Sequence, residues 1–265
     1  MQKQVRERKA ALTDTDGQER SDVFSLLVRA NEEDGKFTLD ADELIGNVFG
    51  LLFAGHETTA HVLAATLGFL AIYPDMQQEV YEEIVNVVGL ERDTSFDDFN
   101  NLEKVLSVFY EALRLYPPGY LMIRQATEDT ILTIPNAQGE EGTCTIAIQE
   151  GAEVVVDMVG VHYNPRHFPE PNKYKPSRWY GNLQDLEAMT AFSIGPRACI
   201  GRKFAAIEAV CFLTLLLRDW RVEPAPSSMK PGETGEEWKE RMMDAKVFLT
   251  LGPGSVPVRL VRREK

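Results

Sequence analysis

Cys199 stands in AFSIGPRACIGRKFA, residues 191–205, between Gly195 and Gly201 and two residues after Arg197. An apolar run follows, FAAIEAVCFLTLLLRDW, which predicts a helix over 204–220. A sulfur there lies by a helix N-terminus, where unpaired amides and the macrodipole favour a thiolate. The glycines let backbone N–H groups approach a bound group, and Arg197 adds positive charge. Such a thiolate serves as a nucleophile or a metal ligand. A buried, inert thiol fits the same composition equally well.

Two other stretches carry polar groups of interest. Glu111-Ala-Leu-Arg114 puts an acid and a base three residues apart on one helical face. Alone, that is an ordinary ion pair of small worth. Ala54-Gly55-His56-Glu57-Thr58-Thr59 interrupts an otherwise apolar helix. A glycine there costs about 1 kcal/mol relative to alanine. A buried carboxylate needs a partner. The segment reads either as a locally satisfied polar kink or as a groove in which a small ligand and a water chain sit against Glu57 and Thr58. His162 and His167 are spaced too loosely with Cys199 for a zinc signature. Cys144 and Cys211 read as core or inert thiols, and Trp220 and Trp238 as packing residues.

The elements that must position these residues follow from punctuation and periodicity. Residues 1–37 predict a polar helix and then a loop, with a short apolar segment at 23–28. LDADELIGNVFGLLFAGHETTAHVLAATLGFLAIYP predicts one very long core helix, with a capping-box start at Asp40 and Glu43 and a stop at Pro74. PDMQQEVYEEIVNVVG and NLEKVLSVFYEALRLYPPG predict two more helices. Beyond residue 120 the β-branched runs DTILTI, TCTIAIQ and EVVVDMVGVH predict strands. Residues 164–182 read as an irregular meander, and KVFLTLGPGSVPVRLV as a hairpin turning at Gly252-Pro253-Gly254. The fold class expected is mainly α with a smaller β part, α+β.

Composition bounds the function. The 265 residues carry a net charge of −13, which argues against nucleic-acid binding. Three cysteines make no disulfide framework and point to a reducing compartment. No secretory signal opens the chain. The longest apolar stretch, 44–55, contains Asn47 and falls short of the ~20 residues a bilayer span needs. No membrane anchor is expected in this chain.

Together the motifs resemble those of the cytochrome P-450 family, heme-thiolate monooxygenases, over its C-terminal half and in its eukaryotic microsomal type. Phe192-x-x-Gly195-x-Arg197-x-Cys199-x-Gly201 is similar to the heme-binding loop, and Glu111-x-x-Arg114 to the helix K motif. Residues 54–59 resemble the oxygen-activating segment of helix I, and Pro176-Ser177-Arg178-Trp179 the meander motif. All four fall in the family's order.

The resemblance implies the C-terminal portion of that fold, with long helices I and L around heme b. It makes Cys199 the proximal thiolate and metal ligand, which favours O–O cleavage. Phe192 would shield the sulfur. Gly195 and Gly201 would shape the loop, and Arg197 and Arg124 would hold the propionates. Glu111, Arg114 and Arg178 would form a buried structural network. Thr58 and Glu57 would be catalytic, handling O2 and protons, while His56 would face away from the heme.

The implied reaction inserts one oxygen atom of O2 into a lipophilic organic substrate. Electrons come from NADPH through a flavoprotein reductase, for which Arg202 and Lys203 are candidate docking charges. Phe49, Leu52, Phe53 and Leu121 are expected pocket walls, with 47–58, 117–124 and 251–255. Family members of this type sit at the endoplasmic reticulum membrane. Whole members run to nearly twice this length, so residues 1–265 are expected to be a partial domain from the helix G/H region to the C-terminus. The N-terminal half is then absent and Met1 an internal start. The alternative expectation is a truncated, catalytically inactive relic or heme-binding module that keeps the motifs.

Overall fold

The computed structural model describes residues 2–13, 22–32, 39–137, 139–181 and 189–264. The loop expected after the first helix and the end of the meander at 182 fall outside them. The chain divides into two compact units, residues 1–57 and 58–265.

The first unit holds α1 (Gln2–Thr13), α2 (Val23–Glu32) and the start of α3 (Ala41–Ile72). The Asp22 carboxylate accepts from the Ser25 amide and hydroxyl, which caps α2. Val5, Val28, Leu44 and Val48 form its small core. The capping box at α3 closes as the sequence suggests. Asp40 Oδ1 accepts from the Asp42 and Glu43 amides, and Glu43 Oε2 accepts from the Asp40 amide.

The expectation that α3 is core throughout needs correction. Its second half is buried through Val62, Ala65, Phe69 and Leu70, but Phe49, Leu52 and Phe53 in its first half are exposed. Apolar residues ring this helix, and the core of the first unit takes in only Leu44 and Val48 from it.

In the second unit, α3 gives way to α4 (Pro74–Val87), opened by Pro74 at its first turn, where proline's missing N–H costs nothing. α5 (Glu103–Leu115) is the central helix, buried from Val105 to Leu115. Among the described residues four two-stranded antiparallel sheets follow it in the chain. β1 (Leu121–Gln125) pairs with β4 (Glu153–Asp157), and β2 (Thr130–Pro135) with β3 (Thr143–Ile148) in the register Thr130 to Ile148.

The run 153–162 is not one strand. β4 stops at Asp157, whose carboxylate accepts from the Gly160 amide and caps the short α6 (Met158–His162). The next helix, α7 (Arg202–Asp219), runs into β5 (Trp220–Pro224) and, with α4 and α5, builds one apolar core. α8 (Gly235–Met242) comes later, capped by a Thr234–Glu237 box.

The C-terminal hairpin also differs from expectation. β6 (Ala245–Val247) pairs with β7 (Leu251–Pro253), so the turn lies at 248–250 and Gly252 sits inside a strand. β8 (Val258–Arg262) pairs with β5 instead. Gly252 lies close against His61, since a Cβ there would lie 2.5 Å from its ring. The tip is further held by Thr250 Oγ1 against His61 Nδ1 at 3.0 Å and by the Leu251 amide on the Pro118 carbonyl at 3.0 Å. Phe248 and Leu249 at the tip remain exposed. Among the described residues no helix is long and apolar enough to cross a membrane.

Candidate heme-thiolate site

Cys199 lies on a loop built from two tight turns. A 3-10 turn over Thr190–Phe192 leads into Ser193 with φ of +57°, and Gly195, with φ of +77°, opens a second turn over Gly195–Arg197. Glycine is the residue that takes the latter conformation without strain. The Cys199 amide donates to the Phe192 carbonyl at 2.7 Å, which closes the loop on itself. Gly201 is the N-cap of α7 and offers no side-chain oxygen, so the first-turn amides are left to other partners. A Cβ on Gly201 would lie 3.9 Å from Cys199 Sγ, an ordinary contact. The sulfur is exposed.

The surroundings of the thiol are of two kinds. Ile194, Ile200 and Phe204 present exposed apolar surface, Ile200 at 91%. Arg124 on β1 donates to Ser193 Oγ at 3.2 Å and so reaches the loop. Arg197 is exposed. Neither arginine pairs with a carboxylate among the described residues. An accessible thiol, an apolar surround and two cations without acids fit a flat apolar macrocycle that carries carboxylate arms.

The Phe192 ring turns toward α5. It lies 6.1 Å from the Tyr110 ring, and the Arg202 guanidinium stands over it at 5.9 Å. The Phe192 backbone carbonyl accepts from the Cys199 amide. Lys203 is exposed and stands over Phe96 at 5.7 Å.

Behind the loop lies a buried ionic cluster. Glu111 and Arg114 on α5 are both fully buried and make a two-point pair, with Arg114 Nε and Nη2 donating to the two carboxylate oxygens at 3.0 and 2.9 Å. Glu111 also accepts from Arg178 Nε at 3.0 Å, from the Lys175 amide at 2.9 Å and from Trp179 Nε1 at 2.9 Å. Arg114 spends its other donors on the carbonyls of His162 and Lys173, and Arg178 reaches the Pro169 carbonyl. Each buried charge thus has several partners, the condition under which burial is tolerated. The structure brings Glu111, Arg114 and Arg178 together and adds Trp179 as a fourth member.

His162 was not legible as part of this cluster. It is fully buried at the end of α6, with Nδ1 on the Arg114 carbonyl at 3.0 Å and Nε2 facing the Thr190 amide at 3.1 Å. Both ring nitrogens are taken, so it is not available to a metal. Burial pushes its pKa down to about 4. A histidine flanked by Val161 and Tyr163 was the only sequence signal.

Glu57 and Thr58 are half-buried on α3, and Thr59 is buried. Gly55 is exposed, with nothing within 4 Å of a Cβ placed on it, so packing does not demand glycine there. His56 donates through Nδ1 to the Leu52 carbonyl of its own helix. Cys144, on the uncovered β2–β3 hairpin, and Cys211, in an apolar cleft with Phe96, Phe99 and Val210, are exposed rather than core thiols. Trp238 is fully buried and bonds Ser228 Oγ, whereas Trp220 is partly exposed.

A family model described as cytochrome P-450 matches residues 1–246. The chain is 40% identical over 248 residues to cytochrome P-450 monooxygenase 124 of Postia placenta, covering 93% of this chain and 47% of that protein. It is 30% identical over 227 residues to cyclooctat-9-en-7-ol 5-monooxygenase of Streptomyces melanosporofaciens, covering 84% and 46%. A crystal structure of a cytochrome P-450 superposes with a TM-score of 0.77 at 27% identity, over 99% of this chain and 55% of that one. The chain belongs to the cytochrome P-450 family and carries its mixed helical and stranded fold. It spans about half the length of the curated relatives it matches.

Proposed function

We propose that this chain supplies the heme-thiolate part of a monooxygenase acting on a lipophilic organic molecule. The observation that carries the reading is the exposed Cys199 thiol at the foot of α7, with Arg124 and Arg197 close in fold or sequence and unpaired with any carboxylate among the described residues. Cys199 would hold the iron of heme b, and the two arginines would hold its propionates. Heme bound there supplies reductive cleavage of O2, helped by electron donation from sulfur.

The protein's own part is holding and proton handling. Gly195 and the Phe192 carbonyl fix where the cysteine sits. The Glu111 cluster holds the meander against α5, so that the loop has a rigid back. Thr58 would position a proton at its hydroxyl, and Glu57 would pass one to water. Phe49, Leu52 and Phe53 in the first unit, and Leu121 in the second, are exposed apolar residues, each suited by itself to contact with a lipophilic molecule. Electrons would come from NADPH through a flavoprotein reductase. Arg202 and Lys203 are the charges we assign to its docking, on an exposed face by the cysteine loop. Members of the microsomal type place this chemistry at the endoplasmic reticulum.

The test is the absorption spectrum of the purified chain with hemin, reduced and exposed to carbon monoxide. A strongly red-shifted Soret band, lost in Cys199→Ala and kept when Cys144 and Cys211 are both replaced by serine, is the expected result. A band typical of imidazole ligation, or no bound heme, would overturn the reading. Turnover by the isolated chain is expected to be slight, because the exposed cysteine loop leaves a bound heme accessible to water, which uncouples electron use from product.

A further inference from the structure

We propose that His162 is a positioning residue for the cysteine loop: it transmits the location of buried Arg114 to Thr190, and through Phe192 to Cys199. The consequence for heme rests on the function proposed above; the positioning itself does not.

The chain of contacts is continuous. His162 Nδ1 faces the Arg114 carbonyl at 3.0 Å. A carbonyl only accepts, so Nδ1 carries the proton and Nε2 is left as a bare acceptor. That acceptor takes the Thr190 amide at 3.1 Å, and the Thr190 hydroxyl lies 3.3 Å away. Thr190 begins the 3-10 turn that ends at Phe192, and the Phe192 carbonyl accepts the Cys199 amide at 2.7 Å. The other end is equally firm, because Arg114 Nη1 donates back to the His162 carbonyl at 2.8 Å. The Phe168 ring meets the imidazole edge-on at 6.0 Å and fixes its plane.

An apolar residue of the same volume would fill this space and leave the buried Arg114 carbonyl and the partly buried Thr190 amide without this partner. Burial favours the neutral ring, which alone can donate from one nitrogen and accept at the other. The imidazole spans two segments that no strand or helix joins.

Two substitutions separate the two arms. In His162→Asn the amide nitrogen overlays Nδ1 and keeps the Arg114 bond but falls short of Thr190. In His162→Gln the side chain reaches Thr190. Amide hydrogen exchange is measured on the heme-free chain, alongside alkylation of Cys199 mapped by mass spectrometry. We expect His162→Asn to speed exchange at 190–199 about tenfold, the scale of one lost hydrogen bond, and to leave α4 unchanged. His162→Gln is expected to restore most of the protection.

No change at 190–199 in folded His162→Asn, or an equal rise across α4, overturns the proposal. If neither variant folds, the unaltered chain decides. Thr190 and Cys199 amides held as one unit share one protection factor, and unequal values overturn it. A normal exchange result in a chain that never binds heme through sulfur would refute the proposed function alone.

Discussion

Arg114 and His162 exchange hydrogen bonds in both directions: the Arg114 guanidinium donates to the His162 carbonyl at 2.8 Å, and the His162 ring donates to the Arg114 carbonyl at 3.0 Å. The pair locks the C-terminal turn of α5 to the end of α6. Through Glu111, the same arginine is tied to Arg178 and Trp179 in the meander. A charged residue and a neutral one thus share the task of fixing the ground behind the cysteine loop.

Replacing Glu111 by alanine is expected to be severe. Arg114 would keep a full buried charge with only carbonyls around it, and Trp179 Nε1 and the Lys175 amide would lose their acceptor. Removing one partner of a buried pair costs about 3–5 kcal/mol. Trp179→Phe removes a single bond to a charged group and should cost about 1.5–3 kcal/mol. Thermal unfolding of both variants checks the order; equal shifts would show that Glu111 acts through Trp179 alone.

Stability should fall as the solution is acidified below pH 6.5. His162 is held neutral with a pKa of about 4, mainly by burial. The Arg114 charge acts in the same sense, and the Glu111 charge and the bond to the Arg114 carbonyl oppose it. The unfolded chain takes up this proton near 6.5. Between 6.5 and 4 the unfolded state therefore binds more protons, and the contribution present above 6.5 is lost across that window, about 3 kcal/mol in full. Glu170 and Glu233, each pulled to about 2 by neighbouring cations, lose theirs lower, between 4.5 and 2. Urea midpoints from pH 7 to 4.5 should drop for the parent and stay nearly level for His162→Gln.

Gly252→Ala should destabilise the β6–β7 tip by about 1–3 kcal/mol, since the new methyl overlaps the His61 ring. His61→Ala makes room for it. The double variant should then be less damaged than the sum of the singles, with the coupling read from a mutant cycle. Additive effects would mean that the tip shifts away from α3 at no cost.

Hemin titration tests the two cations. On the proposed function, Arg197→Ala and Arg124→Ala each remove a charge-assisted bond and should weaken binding about 10- to 100-fold. Arg124→Ala also frees Ser193, so its effect should exceed that of Ser193→Ala. Unchanged affinity in both variants would remove these residues from the cofactor assignment.

Local signals made much of this molecule readable from its residues. Asp40 with Glu43 marks the start of α3, Pro74 the opening of α4, and the spacing around Cys199 marks the loop. What escaped depends on partners far along the chain. β4 gives way to α6 at Asp157 although valines continue on both sides, because a side-chain cap there outweighs β-propensity. β8 leaves its neighbour for β5 because the strand edge at 220–224 lies across the fold. His162 meets Thr190 28 residues later, a pairing no local pattern encodes. Phe49, Leu52 and Phe53 are apolar without being buried, since apolarity shows what can be covered and not what is.

Glu111 also sets a timetable. Its acceptor oxygens emerge from the ribosome well before their donors: Lys175, Arg178 and Trp179 follow 64, 67 and 68 residues later. At about 5–20 residues per second that is an interval of roughly 3–14 s in which the carboxylate has Arg114 alone. The partners of the buried Glu111 carboxylate are therefore complete only once residues 175–179 have been synthesised.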